Sequence, residues 1–131
     1  VLWALQGDAA QRALTAWAMG WKPARETAGE VWMVPFLAQL LVDPYDAVRN
    51  RAYLTLKSIE GYENLEYDFL AAEADREAVQ KKVLESWRAQ HEADPATAVP
   101  ELLLDASGQL QEAQLQRLLR WRDDRDIFIA E

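Results

Sequence analysis

The best-arranged oxygen donors in this chain lie in DASGQL at positions 105–110, and the chemistry they would perform is calcium binding. An EF-hand loop needs a glycine at its sixth position, an apolar residue at its eighth and oxygen ligands flanking the glycine. With Gly108 sixth, Asp105 and Ser107 take ligand positions and Leu110 takes the apolar one. The first ligand position then falls on Leu103 and the last on Gln114, so the opening Asp and the bidentate closing Glu are both missing. The stretch reads as a tight turn that starts the last helix.

Other chemistry fares no better. His91 is the only histidine, which excludes a two-histidine metal site and leaves general acid–base work without its usual agent. It reads as a surface residue near a helix end. The absence of cysteine excludes disulfides, thiolate metal sites, iron–sulfur clusters and covalent haem attachment within this stretch. Carboxylates cluster, as in Glu63, Glu66 and Asp68 or in Asp123 and Asp124, but with no apolar pocket to raise one pKa they read as solvated acids. No glycine-rich phosphate loop or nucleophile elbow is present. Catalytic, cofactor-binding and metal residues are therefore expected to be none, and the chain is expected not to be an enzyme.

Length and charge narrow the alternatives. The 131 residues, half of them hydrophobic, make one domain with one core, assigned to residues 1–131. Fourteen basic against 22 acidic residues give a formal charge of −8, a field that repels nucleic acid and anionic lipid. No apolar run approaches the ~20 residues of a membrane span, so membrane insertion is not expected. The chain opens on VLWALQ with no capping residue ahead of it, which reads as the end of a helix begun upstream and hence as a C-terminal fragment of a longer protein.

The elements that would position any site are helical. In residues 33–59, MVPFLAQLLVDPYDAVRNRAYLTLKSI, Met33, Phe36, Leu37, Leu40 and Leu41 fall at helical spacing, and Pro35 lies early enough to remove no helical hydrogen bond. Asp43 and Pro44 stop that helix. Tyr45, Val48, Ala52, Leu56 and Ile59 then form one apolar stripe, with Arg49, Asn50 and Lys57 largely opposite. Two amphipathic helices joined so tightly must pack on each other.

The order of Pro35, the paired leucines, Asp43, Pro44, Val48, Arg49 and Ala52 resembles a HEAT repeat. The resemblance implies an all-α solenoid of antiparallel helix pairs used as a scaffold, with the aspartate and arginine laddering to neighbouring repeats. Setting Arg12-Ala13 beside Arg51-Ala52 gives a spacing of 39 residues (52 − 13), within the ~40 of such repeats. The first copy departs from the pattern, because Ala4 and Leu5 stand where Asp43 and Pro44 would be.

Residues 1–72 are assigned to repeat-like helix pairs and 73–131 to a less regular C-terminal helical cap. Asp8 is expected to cap a helix ending at Gly20, with Ala10, Leu14, Trp17 and Trp21 on its buried side. Residues 22–29 read as a surface loop, 60–68 as a connection packed down by Tyr62, Leu65, Tyr67 and Phe69, and 73–92 as a helix with Ala78, Val79, Val83, Leu84 and Trp87 on one stripe. Residues 93–100 read as a linker and 111–122 as the last helix. Residues 102–104 and 127–129 are candidates for a minimal two-stranded element.

Of the six tryptophans, Trp3, Trp17, Trp21 and Trp32 crowd the first quarter. They serve either as core filling between repeats or, for Trp3, Trp21 and Trp32, as a docking face. A wider resemblance rests on GDAAQRALTAWAMGW, WMVPFLAQLLVDPYDAVRNRAY, YDFLA, LLLDASGQL and RDDRDIFIAE. Together these look like the C-terminal HEAT region of large bacterial proteins carrying tetratricopeptide or multihaem cytochrome modules. That resemblance implies a periplasmic domain bracing a redox protein, and it implies no haem here because CxxCH is absent. The expected function is a non-enzymatic scaffold or protein-interaction domain, its partner another protein or upstream domains of the same chain.

Overall fold

Seven α-helices and one 3₁₀ turn make up the computed structural model, which describes residues 1–90 and 103–126. In chain order they are α1 (Leu2–Gln6), α2 (Ala9–Met19), α3 (Lys22–Ala28), the 3₁₀ turn Val31–Met33, α4 (Val34–Leu40), α5 (Asp46–Leu56), α6 (Glu73–Gln90) and α7 (Glu112–Leu119). The fold is all-α, and His91 lies outside the described residues.

The hub is α4. Each of its residues from Val34 to Leu40 is buried, six of them apolar and the seventh, Gln39, accepting from the Gln80 side chain at 3.1 Å. Pro35 sits in its first turn, where no intrahelical N–H is required. Against α4 pack α1, α2, α5 and α6, while α2 packs against α1 and α5, and α7 returns to cover α1. Leu40 and Leu56 both belong to this core, essentially without exposed surface. Trp87 of α6 closes it on one side, its indole Nε1 donating to the Val31 carbonyl at 2.8 Å. The segment after α5 is tied down by Tyr67, whose hydroxyl donates to the Leu41 carbonyl, and by Tyr53, whose hydroxyl donates to the Leu65 carbonyl.

The α1–α2 corner is tight. A Cβ on Gly7 would stand 2.6 Å from the Trp3 carbonyl oxygen and 2.8 Å from the Gln11 side chain. Asp8 then opens α2 through a capping box: its carboxylate accepts from the Gln11 N–H, and the Gln11 side chain accepts from the Asp8 N–H.

Three expectations need correction. The face of α2 is inverted: Ala9, Arg12, Ala16 and Met19 are buried, while Ala10, Leu14, Trp17 and Trp21 face outward. Arg49 is buried on the inner side of α5 with Val48 and Ala52, because backbone carbonyls inside accept its guanidinium. Residues 22–28 are a helix, since Pro23 lies in its first turn and Gly29, at φ 74°, ends it; both mark helix boundaries and not a loop. Leu104 bridges Leu110 across the 105–108 turn, and residues 127–129 of the expected two-stranded element lie outside those described.

Truncating Leu40 or Leu56 to alanine is expected to cost about 2–5 kcal/mol in urea unfolding at each site; a loss under about half a unit at both would contradict this packing.

Candidate functional site

The most constrained cluster begins with the turn between α4 and α5. Asp43 is fully buried, and its Oδ1 accepts the Tyr45 N–H at 3.0 Å, an Asx-type turn that launches α5. A buried carboxylate needs a cation. Arg12, also fully buried, supplies it in a two-pronged contact: Nε to Oδ2 at 2.6 Å and Nη2 to Oδ1 at 3.0 Å.

The rest of the Arg12 guanidinium is equally committed. Nη1 donates to the Gly7 carbonyl at 2.6 Å and to the Asp123 carbonyl at 2.8 Å, and Nη2 lies 3.4 Å from the Asp124 carboxylate. The Tyr45 ring stands 5.9 Å away as a cation–π partner. Each of the five N–H groups that an arginine owns thus faces an oxygen. One side chain joins the α1–α2 corner, the α4–α5 turn and the segment after α7.

Arg49 repeats the device. Its Nη1 donates to the carbonyls of Asp43 and Pro44 at 2.7 and 2.8 Å, and its Nε donates to the Phe69 carbonyl at 2.7 Å. Arg12 and Arg49 each occupy the fourth position of an 11-residue helix, and each donates to the carbonyl five residues before it, Gly7 and Pro44 respectively. The structural register is therefore 37 residues (49 − 12), two short of the spacing set by placing Arg12 beside Arg51. Asp43 is paired to Arg12 by its side chain and to Arg49 by its backbone. Arg76 holds the same fourth position in α6, with its Nε buried and lacking a hydrogen-bond partner among the described residues. Sequence reasoning missed Arg12, although it left a signal: Arg12 is the only charged residue in α2.

The outward side of α2 is the opposite in character. Ala10, Leu14, Trp17 and Ala18 carry no charge and are exposed, Leu14 by 56% and Trp17 by 51%, and the stripe runs on to Trp21 at 56%. Half-exposed tryptophans on an uncharged stripe are unusual on a monomer's surface and typical of interaction faces. Trp17 and Trp21 line a shared groove of about 260 Å³ with Leu54 and Arg51 of α5. Trp3, 61% exposed, and Trp32, half-buried with its ring edge-on to Phe36 at 6.2 Å, do not line that groove.

Among the described residues no three His, Cys, Asp or Glu side chains come together to hold a metal, and no helix is long and apolar enough to cross a membrane. In the 105–110 turn, Asp105 Oδ1 accepts from the Ser107 N–H, the Ser107 hydroxyl and the Gln109 N–H, and these bonds hold its carboxyl below the usual range. That oxygen serves the turn itself. No protein-family model matches the chain, no curated protein matches it, and no solved structure matches it.

Asp43→Asn or Arg12→Met is expected to destabilise by about 3–5 kcal/mol, because each leaves a buried charge unpaired. The double variant should cost less than the two together by at least about 1 kcal/mol. Strict additivity in chemical denaturation would show that the pair does not act as a unit.

Arg125, with Nη2 at 2.6 Å from Asp123 Oδ2, holds that carboxyl at about 2 against an ordinary 3.8. Because the folded value is depressed, whatever stability the pair contributes is complete above pH 3.8 and disappears as pH falls through about 2. Carboxyl NMR should give that midpoint, and Arg125→Gln should return it toward 3.8; an unchanged midpoint in the variant would remove Arg125 as the cause.

Proposed function

We propose that this chain is a non-enzymatic protein-interaction domain, the terminal part of a HEAT-like array of helix pairs, whose uncharged outer face is covered by a protein partner or by upstream domains of the same chain. The observation that carries the reading is α2. A helix with apolar residues on both faces and one buried charge suits the interior of an assembly better than its surface. Its inner half is buried by α1 and α5, and its outer stripe of Leu14, Trp17 and Trp21 stands open. Support for the array comes from the repeated arginine position in α2 and α5, and from the way α1 and α2 lie against α4 and α5. Pro35, Asp43, Pro44, Val48, Arg49 and Ala52 then serve as repeat-forming residues, with the ladder running from Asp43 to Arg12.

A photo-crosslinking amino acid at position 14, introduced in the native host, is expected to yield protein adducts. The same group at Glu77, on the exposed side of α6, should yield few. Equal labelling at the two positions, or none at 14, would refute the docking face.

A further inference from the structure

From the groove between α2, the start of α3 and α5, we infer that the covering partner presents an acidic segment carrying an apolar anchor. The inference rests on the interaction-domain reading and specifies its chemistry. Trp17, Trp21 and Leu54 supply the apolar walls, and all three are exposed. Lys22 and Arg51 supply the rim, and no Asp or Glu lines the groove. On a chain with 22 acidic and 14 basic residues, a groove lined by cations and no acids runs against the overall balance.

The two cations are free to engage. Arg51 has no hydrogen bond or ion pair among the described residues, in contrast to Arg12, Arg25 and Arg49, which are each held by several oxygens or by a carboxylate. Lys22 meets only Glu26, at 3.6 Å and with both side chains largely exposed, a contact worth little in water. The end of α2 points its dipole here, equivalent to about half a negative charge. With Glu26 counted beside Lys22, the balance at the groove stays positive, and Arg51 carries it. A leucine or phenylalanine seated between the two indoles, flanked by carboxylates reaching Arg51 in a fork and Lys22 at the mouth, fills the groove and pairs its charges.

The test uses a fluorescein-labelled peptide, Asp-Glu-Leu-Phe-Asp-Glu-Leu, titrated with the intact chain in polarisation assays, beside the same peptide with lysine for each acid. The acidic peptide is expected to bind and to weaken as salt rises, and the lysine peptide to bind at least about tenfold more weakly. Arg51→Glu and Trp17→Ala should each weaken binding by about tenfold or more, with helical circular dichroism unchanged, because Trp17 is half exposed and the partly buried Arg51 makes no hydrogen bond or ion pair among the described residues. Arg51→Lys should keep part of the affinity. Equal binding of the two peptides, indifference to Arg51→Glu, or no binding at millimolar peptide overturns the inference. Crosslinks at position 14 together with absent acidic-peptide binding would overturn this inference alone and leave the docking face standing.

Discussion

The ion pair of Arg12 with Asp43 is the constraint on which the arrangement of helices rests. Moving two charges out of water costs several kcal/mol for each, and attraction between them offsets that only if the remaining donors and acceptors are satisfied. Here they are: Asp43 also accepts the Tyr45 N–H, and Arg12 also reaches the Gly7 and Asp123 carbonyls. Such an arrangement tolerates little displacement. If α2 slid by one residue along α5, the guanidinium would rotate away from the carboxylate, so the polar node fixes a register that alanine packing between the helices leaves loose. Thr55 adds a second fixed point further along, its hydroxyl donating to the Ala16 carbonyl at 2.8 Å, close to Gly20, where a Cβ would meet that same hydroxyl.

The node and the outer stripe are two sides of the same helix. Because Arg12 turns inward, Ala9, Ala16 and Met19 turn inward with it, and Leu14 and Trp17 are carried to the outside. The exposed aromatic face is thus a geometric result of the buried ion pair. This link supports reading the face as a docking surface: a helix that turns its largest apolar side chains outward to bury an arginine loses hydrophobic stabilisation unless something else covers them.

Much of the fold was legible in the sequence. Helix–turn–helix character between Met33 and Leu56 followed from apolar spacing and the Asp43-Pro44 stop, because six of the seven residues of α4 are apolar and buried. Asp8 and Gly20 marked the ends of α2 through capping chemistry that acts over a few residues. What could not be read was the facing of α2. A periodicity count treats arginine as outward, and the acceptors that reverse that preference, foremost the Asp43 carboxylate 31 residues away, come together only on folding. The same holds for Arg49, whose acceptors at Asp43, Pro44 and Phe69 become neighbours only after folding. Helix α3 was missed for a different reason, since Pro23 and Gly29 punctuate loops and helix ends alike. Of the candidate docking residues, composition singled out Trp21, whereas Trp17 and Arg51 joined it only through the approach of α2 to α5.

The carbonyl of Asp123 reaches Arg12 across 111 residues of chain, and the Asp123 N–H donates to Gln6 at 3.2 Å. During synthesis the amino-terminal helices emerge first, yet the arginine at their corner lacks its last acceptor until that distant peptide has left the ribosome. Of the oxygens around Arg12, those of residues 123 and 124 are therefore the last that synthesis makes available, added to a corner already held by Gly7 and Asp43.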